Sequence, residues 1–363
     1  MASPAEPGRT ESRAHFAFLD ALRGVAALSV LLFHLQVHTF EGFPARPIPV
    51  GSVTWWVFLG WFDLGKFAVA LFFLVSGTLI PSTLRAPGAT LPQFARRRAF
   101  RLYPAYWTAI LLQLGALAVL GHGGSIRWLE VAVNTTMLQK FVGIPDLIGV
   151  FWTLQIELVF YVLCAGLFRV GRISAGLWPQ VGAFALALAF AAARGASGKA
   201  LPVALFLALG WMFLGDTLRR RADGIASRRE AAVAVGMAAA AVVPCALLGY
   251  GDEGWRYVRA YLASLIVFLL ARRAAVWFGR PGTGQRLLAF LGRISYGVYL
   301  TGPVATMAVG EPLLAATGSR GMVAAATFGS TLLLATAIHR WIEAPAIAAG
   351  RRTARPEPSA GRA

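Results

Sequence analysis

The stretch Leu19-Asp-Ala-Leu-Arg-Gly-Val-Ala-Ala-Leu-Ser-Val-Leu-Leu-Phe-His34 decides the fold class. It reads as an apolar helix long enough to enter a bilayer, yet it holds Asp20, Arg23 and His34. An ionisable group at the centre of a bilayer costs about 2.5–3.5 kcal/mol on insertion scales, so it turns toward protein or water and marks function. His34 follows Arg23 by eleven residues, about three turns at 3.6 residues per turn. Asp20, Arg23 and His34 therefore share one face of the helix.

The rest of the chain agrees with a membrane protein. Of 363 residues, 57% are hydrophobic and only 14% charged, and the mean hydropathy is +0.64. That excludes an ordinary soluble domain. Eleven Trp and eight Tyr suit interfacial belts. Cys164 and Cys245 fall in apolar runs, with neither a disulfide framework nor metal-ligand spacing, so no metal is expected. The first apolar run is long and charged and has no small-residue cleavage site close behind it, so it reads as a retained helix.

Apolar runs of helical length occur near 18–38, 64–81, 102–121, 150–168, 177–194, 200–218, 230–250, 257–276, 287–309 and 322–342. This predicts an all-α polytopic protein with about ten transmembrane helices. The Trp-rich segment 53–62 is too short to span and reads as interfacial. With both termini cytoplasmic, the inner segments hold 22 of the 34 Lys and Arg residues and the outer loops 8. That bias supports the orientation and explains the net charge of +18 as topological. Nucleic acid is not an expected partner; membrane lipids are. Residues 1–13 and 347–363 read as disordered tails flanking one domain, 14–346.

Four further constellations carry chemistry. Glu157, in Phe151-Trp-Thr-Leu-Gln-Ile-Glu157-Leu-Val-Phe-Tyr161, lies about two turns into its span, at a depth close to that of His34. A carboxylate accepting one imidazole N–H fixes the tautomer and makes the other nitrogen a better base. The alternative is two residues satisfied separately. Arg98 and Arg101 share a helix face at the inner end of the third span. They suit a phosphate-rich ligand, or a positive-inside anchor. Ser76-Gly77 suits close helix packing. Glu343 and Arg340, at the inner boundary of the last span, read as an inter-helix ion pair. No P-loop, nucleophile elbow, zinc motif or dinucleotide fingerprint is present.

In order, these segments are Leu19-Asp-x-Leu-Arg-Gly…His34, Phe72-Phe-Leu-Val-Ser-Gly77, Arg98-x-x-Arg101-x-Tyr-Pro-x-Tyr-Trp107, Trp152-Thr-Leu-x-x-Glu157-x-x-Phe-Tyr161, Ser295-Tyr-x-x-Tyr-Leu300 and Ile342-Glu-x-Pro345. Together they resemble the acyltransferase-3 family of membrane acyltransferases over about residues 16–346. The family's Arg-x10-His motif falls on Arg23 and His34, its Arg-x-x-Arg on Arg98 and Arg101, and its Trp-span glutamate on Glu157. The resemblance implies O-acylation of a carbohydrate or glycolipid acceptor, such as a surface polysaccharide or its lipid-linked precursor. The implied donor is cytoplasmic acyl-CoA, with acetyl-CoA the default, and the implied location is the inner (plasma) membrane. Many members carry a His after Tyr-Leu in the ninth span, where this chain reads Tyr299-Leu-Thr-Gly302-Pro303.

On that resemblance the expected catalytic set is His34, Glu157, Arg23 and Asp20, with Arg98 and Arg101 on the donor phosphates. His34 would deprotonate the acceptor hydroxyl or carry the acyl group, Glu157 would orient or charge-balance it, and Asp20 would pair with Arg23. The rival reading is a transporter or flippase of a lipid-linked sugar, although the chain has no paired broken helices in two related halves.

Overall fold

Capping residues and glycines set several of the helix boundaries. Asp63 accepts from the Lys66 N–H at 2.7 Å, Thr90 from Gln93 at 3.4 Å, Ser227 from Glu230 at 3.0 Å and Ser319 from Met322 at 3.4 Å. Gly198, at φ 67°, closes another helix in the left-handed conformation that glycine adopts freely. The computed structural model describes residues 7–40, 51–280 and 282–352, and no strand occurs among them.

Ten helices of 19 residues or more lie among the described residues: α1 (Pro7–His34), α2 (Leu64–Leu84), α3 (Leu91–Val119), α4 (Phe151–Arg169), α5 (Trp178–Ser197), α6 (Val203–Ala222), α7 (Arg228–Tyr250), α8 (Gly254–Arg273), α9 (Thr283–Ala305) and α10 (Arg320–Ile338). Each expected apolar run lies largely on one of them. Seven stretches are long and apolar enough to cross a membrane, one of them, Arg228–Arg273, covering both α7 and α8. Helices α6 and α9 fall outside these stretches. The first carries Asp216 and three C-terminal arginines; the second carries Arg286 and Arg293.

Two expected tails are shorter than their composition suggests. The α1 backbone is already helical from Pro7, and the last helical segment, Ala344–Arg352, carries the chain past residue 347. Gly350 is buried there, and a Cβ on it would come within 2.8 Å of the Phe100 side chain. Residues 1–6 and 353–363 of those tails lie outside the described residues.

Close packing rests on glycine, as it must where lipid removes the hydrophobic drive between helices. The most extensive pairing is α1 on α9, followed by α2 on α6. A Cβ on Gly292 would meet the Asp20 carbonyl at 2.0 Å, and one on Gly77 the Met212 carbonyl at 1.9 Å. At one end of the bundle a buried ion network ties α2, α6 and α7 together. Arg85 pairs with Asp216 at 2.7 Å, and Arg220 pairs with Asp216 at 3.2 Å and Glu230 at 2.6 Å. Arg220 also donates to the Gly176 carbonyl at 2.8 Å. The sequence alone presented these arginines as flanking charge.

Candidate functional site

Helix α4 is set in place by the loop before it. The buried Asn134 donates to the Glu130 and Pro145 carbonyls at 2.8 and 3.1 Å and accepts from the Leu147 N–H at 3.0 Å. Asp146 accepts from Gln139 and Gln155 at 2.8 and 2.9 Å and pairs with Lys140 at 3.2 Å. Met137 takes φ 62°, a left-handed conformation uncommon for a side-chain-bearing residue, where the chain turns back toward α4. This framework fixes Thr153 and, two turns in, Glu157.

The first of two neighbouring cavities, about 160 Å³, is lined by Arg23 of α1, Ser76 of α2, Arg98 and Arg101 of α3, Glu157 and Tyr161 of α4, and Tyr296 and Tyr299 of α9. Four of the six expected site residues thus converge here. The arginines are not equivalent. Arg101, partly exposed, forms an ion pair with the buried Glu343, whose other oxygen lies 3.0 Å from Nδ1 of His339. Glu343 thus makes the expected inter-helix ion pair, with Arg101 of α3, while Arg340 is exposed; residues 339–343 form a wider π-helical turn in which Glu343 is buried. Arg98 has no carboxylate within ion-pair distance among the described residues. Its guanidinium lies 5.3 Å from the ring centres of both Phe94 and Tyr161, and Nη2 donates to Thr83 at 3.1 Å. Arg23 lies 3.8 Å from Asp20, a long ion pair.

The second cavity, about 230 Å³, contains His34. Asp63, Lys66, Trp152, Arg256 and Tyr257 share its wall. The Lys66 ammonium sits 4.9 Å from the Trp152 ring and 5.5 Å from that of Tyr257. Burial raises the Asp63 carboxyl above the ordinary carboxylate range, with Lys66 and Arg256 opposing that shift. Immediately after His34 the helix widens into a π-helical turn, Leu35–Phe40, a distortion frequent at functional sites.

Val69 and Tyr299 line both cavities and form the wall between them. Tyr299 donates to the Val150 carbonyl at 2.8 Å and lies 2.5 Å from the Thr153 hydroxyl. Of the two readings of His34 and Glu157, the separate one fits the cavities: Glu157 lines the first and accepts from Tyr161 at 2.5 Å, and His34 lines the second. Sequence reasoning missed the second cavity's polar wall. Lys66, an ammonium in the first turn of an apolar helix, was the available signal.

The family profile described as acyltransferase domain matches residues 16–340. The chain belongs to the acyltransferase-3 family. Within it, the chain is similar to nodulation protein 10 of Rhizobium leguminosarum bv. viciae, at 30% identity over 203 residues, half of this chain and 51% of that protein. It is also similar to acyltransferase MdmB of Streptomyces mycarofaciens, at 26% identity over 162 residues, 42% of this chain and 39% of that protein. The matches therefore span about half or less of either curated relative. No solved structure matches significantly. The matched segment contains both cavities and all six expected site residues, within an all-helical membrane domain.

Proposed function

We propose that this acyltransferase-3 protein is an inner-membrane O-acyltransferase. It moves an acyl group, acetyl in the simplest case, from cytoplasmic acyl-CoA to a hydroxyl of a carbohydrate acceptor such as a surface polysaccharide or its lipid-linked precursor. All ten long helices span the membrane and both termini are cytoplasmic, a reading the positive-inside bias supports. The observation that carries the proposal is the pair of cavities meeting at Val69 and Tyr299, one rich in arginine and the other holding His34.

Donor phosphates are met at the arginine end, chiefly by Arg98, since Glu343 already balances Arg101. The acyl-bearing arm then reaches past Tyr299. Arg23 and His34 are about 16 Å apart along α1, at 1.5 Å per residue, within the span of a pantetheine arm. His34 takes the proton of the acceptor hydroxyl, whose oxygen attacks the thioester carbonyl. The carbon–sulfur bond breaks, and the imidazolium returns that proton to the departing thiolate. Glu157 offsets the arginine cluster and takes no direct part at His34. The match to an acyltransferase domain and the similarity to acyltransferase MdmB favour transfer over transport of a lipid-linked sugar.

The test uses inverted membrane vesicles containing the protein and [14C]acetyl-CoA. Label on a glycan or glycolipid fraction, released by mild base as an ester, is the expected result. Label no higher than in vesicles lacking the protein, or base-stable label, contradicts the proposal.

A further inference from the structure

The cavity that holds His34 carries more positive than negative charge. Lys66 of α2 and Arg256 of α8 line it, against one carboxylate, Asp63. That carboxylate caps α2: it accepts the Lys66 backbone N–H at 2.7 Å, and no ion pair joins it to the Lys66 ammonium among the described residues. The two arginines of this part of α8 are engaged. Arg256 pairs with Glu253 at 2.8 Å and donates to the Tyr257 hydroxyl at 3.2 Å. Arg259 lies outside the cavity lining, donates to the Trp61 carbonyl at 2.7 Å and sits 4.7 Å from the Trp61 ring. Lys66 differs from both. Its ammonium is half-buried and has no carboxylate partner among the described residues; what surrounds it are the rings of Trp152 and Tyr257, at 4.9 and 5.5 Å. A desolvated ammonium without a counter-charge is costly, and an entering anion removes that cost.

We propose that this chamber selects an acidic acceptor, a sugar that carries a phosphate or carboxylate close to the hydroxyl to be acylated, with Lys66 as its binding and specificity residue. His34 and Lys66 line one space of about 230 Å³, so the acidic group belongs to the same sugar unit as the accepting hydroxyl or to its immediate linkage. A neutral sugar filling that space would leave the ammonium dry and unpaired, which discriminates against neutral acceptors without any clash. Arg256, reaching in from a second helix, adds attraction from another side. The contact concerns the acceptor alone, because the donor phosphates are assigned to the arginine cavity beyond Tyr299. This inference rests on the O-acyl-transfer reading above.

The experiment uses the full chain in nanodiscs, radiolabelled acetyl-CoA and an acceptor fraction extracted from the membranes. The base-labile labelled product of the wild type should be retained on an anion-exchange column at neutral pH. Mild acid, which cleaves glycosyl phosphates and spares acetyl esters, then separates the two sources of charge: a phosphate linkage loses retention and a sugar carboxylate keeps it. Lys66→Met should raise the half-saturating amount of acceptor about tenfold, the scale of one lost charge-assisted hydrogen bond, with the affinity for acetyl-CoA unchanged. Lys66→Arg should recover part of the loss. A wild-type product that passes through the column uncharged overturns the proposal, whatever the variants do. So does an unchanged half-saturation in Lys66→Met, or a fall in maximal rate alone, which would place Lys66 at the reacting carbonyl instead. If the wild type forms no base-labile product at all, the O-acyl-transfer reading itself fails.

Discussion

The arginine cavity and the histidine cavity lie side by side along α1 but are built on opposite principles. The first is assembled from long cationic side chains held by partners on other elements. Arg101 is fixed by Glu343, Arg98 is held among two rings and Thr83, and Arg23 reaches toward Asp20. The second depends on one imidazole at the end of α1, walled by Lys66 and two aromatic rings. Three arginines face one glutamate in the first cavity, whereas the second sets one imidazole among an aspartate, a lysine and an arginine; the proposed donor binding and proton transfer divide along that line. The comparison teaches that the polar stripe on α1 serves two separate chambers.

The largest effect should come from closing the wall between them. Val69→Trp places an indole where both cavities meet. We expect turnover to fall at least about a hundredfold, the scale of a misplaced reacting group, while acetyl-CoA still binds. Turnover measured beside equilibrium CoA binding checks this. Turnover that survives would mean the chambers work independently.

Next in size is the lock behind the arginines. Glu343→Ala leaves the partly buried Arg101 without its carboxylate, which should cost about 2–3 kcal/mol, below the figure for a fully buried pair. The thermal midpoint in detergent reads it, and Arg101→Met added to Glu343→Ala should restore most of the loss. No restoration would show that Glu343 acts through His339 instead. Gly77→Ala should cost about 1–3 kcal/mol, because its methyl would fall 1.9 Å from the Met212 carbonyl and α2 must move from α6. An unchanged midpoint would mean that this helix pair is not tightly seated.

The smallest effect belongs to Asp63 in the histidine cavity. Burial raises its carboxyl above the unfolded value, so the folded state favours the protonated form. Stability from this group is present at acidic pH and is lost as pH rises through the raised folded value. Asp63→Asn keeps an acceptor for the Lys66 N–H and removes that titration. Thermal midpoints measured from mildly acidic to neutral pH should therefore fall less with rising pH in the variant than in wild type; parallel profiles would remove Asp63 from the account.

Much of the helical layout was legible because apolar length and arginine placement are local properties of a chain. Arg23, Arg98, Arg101 and Glu157 could be singled out for the same reason: charge in an apolar run is costly wherever the run packs. Which partner each found was not legible. Glu157 accepts from Tyr161, one turn along the same helix, and lines a different cavity from His34. The inter-helix ion pair expected at Glu343 is formed, but its partner, Arg101, lies 242 residues away, and the π-helical turn that carries Glu343 departs from 3.6 periodicity with no plain sequence mark. Asp216 and Arg220, a turn apart on α6, met Arg85 and Glu230 across helices whose pairing no single run reveals.

The central claim is that donor binding and acyl transfer occupy different chambers. It is tested most directly by measuring, on the same nanodisc samples, the acetyl-CoA dissociation constant and the rate of CoA release with membrane-extracted glycolipid as acceptor. His34→Ala should keep the dissociation constant and lose at least about 10²-fold in rate, the lower end of what a positioned general base supplies. Arg98→Ala should raise the dissociation constant while the rate at saturating donor stays close to wild type. Wild-type turnover in His34→Ala, or unchanged donor affinity in Arg98→Ala, would contradict the account.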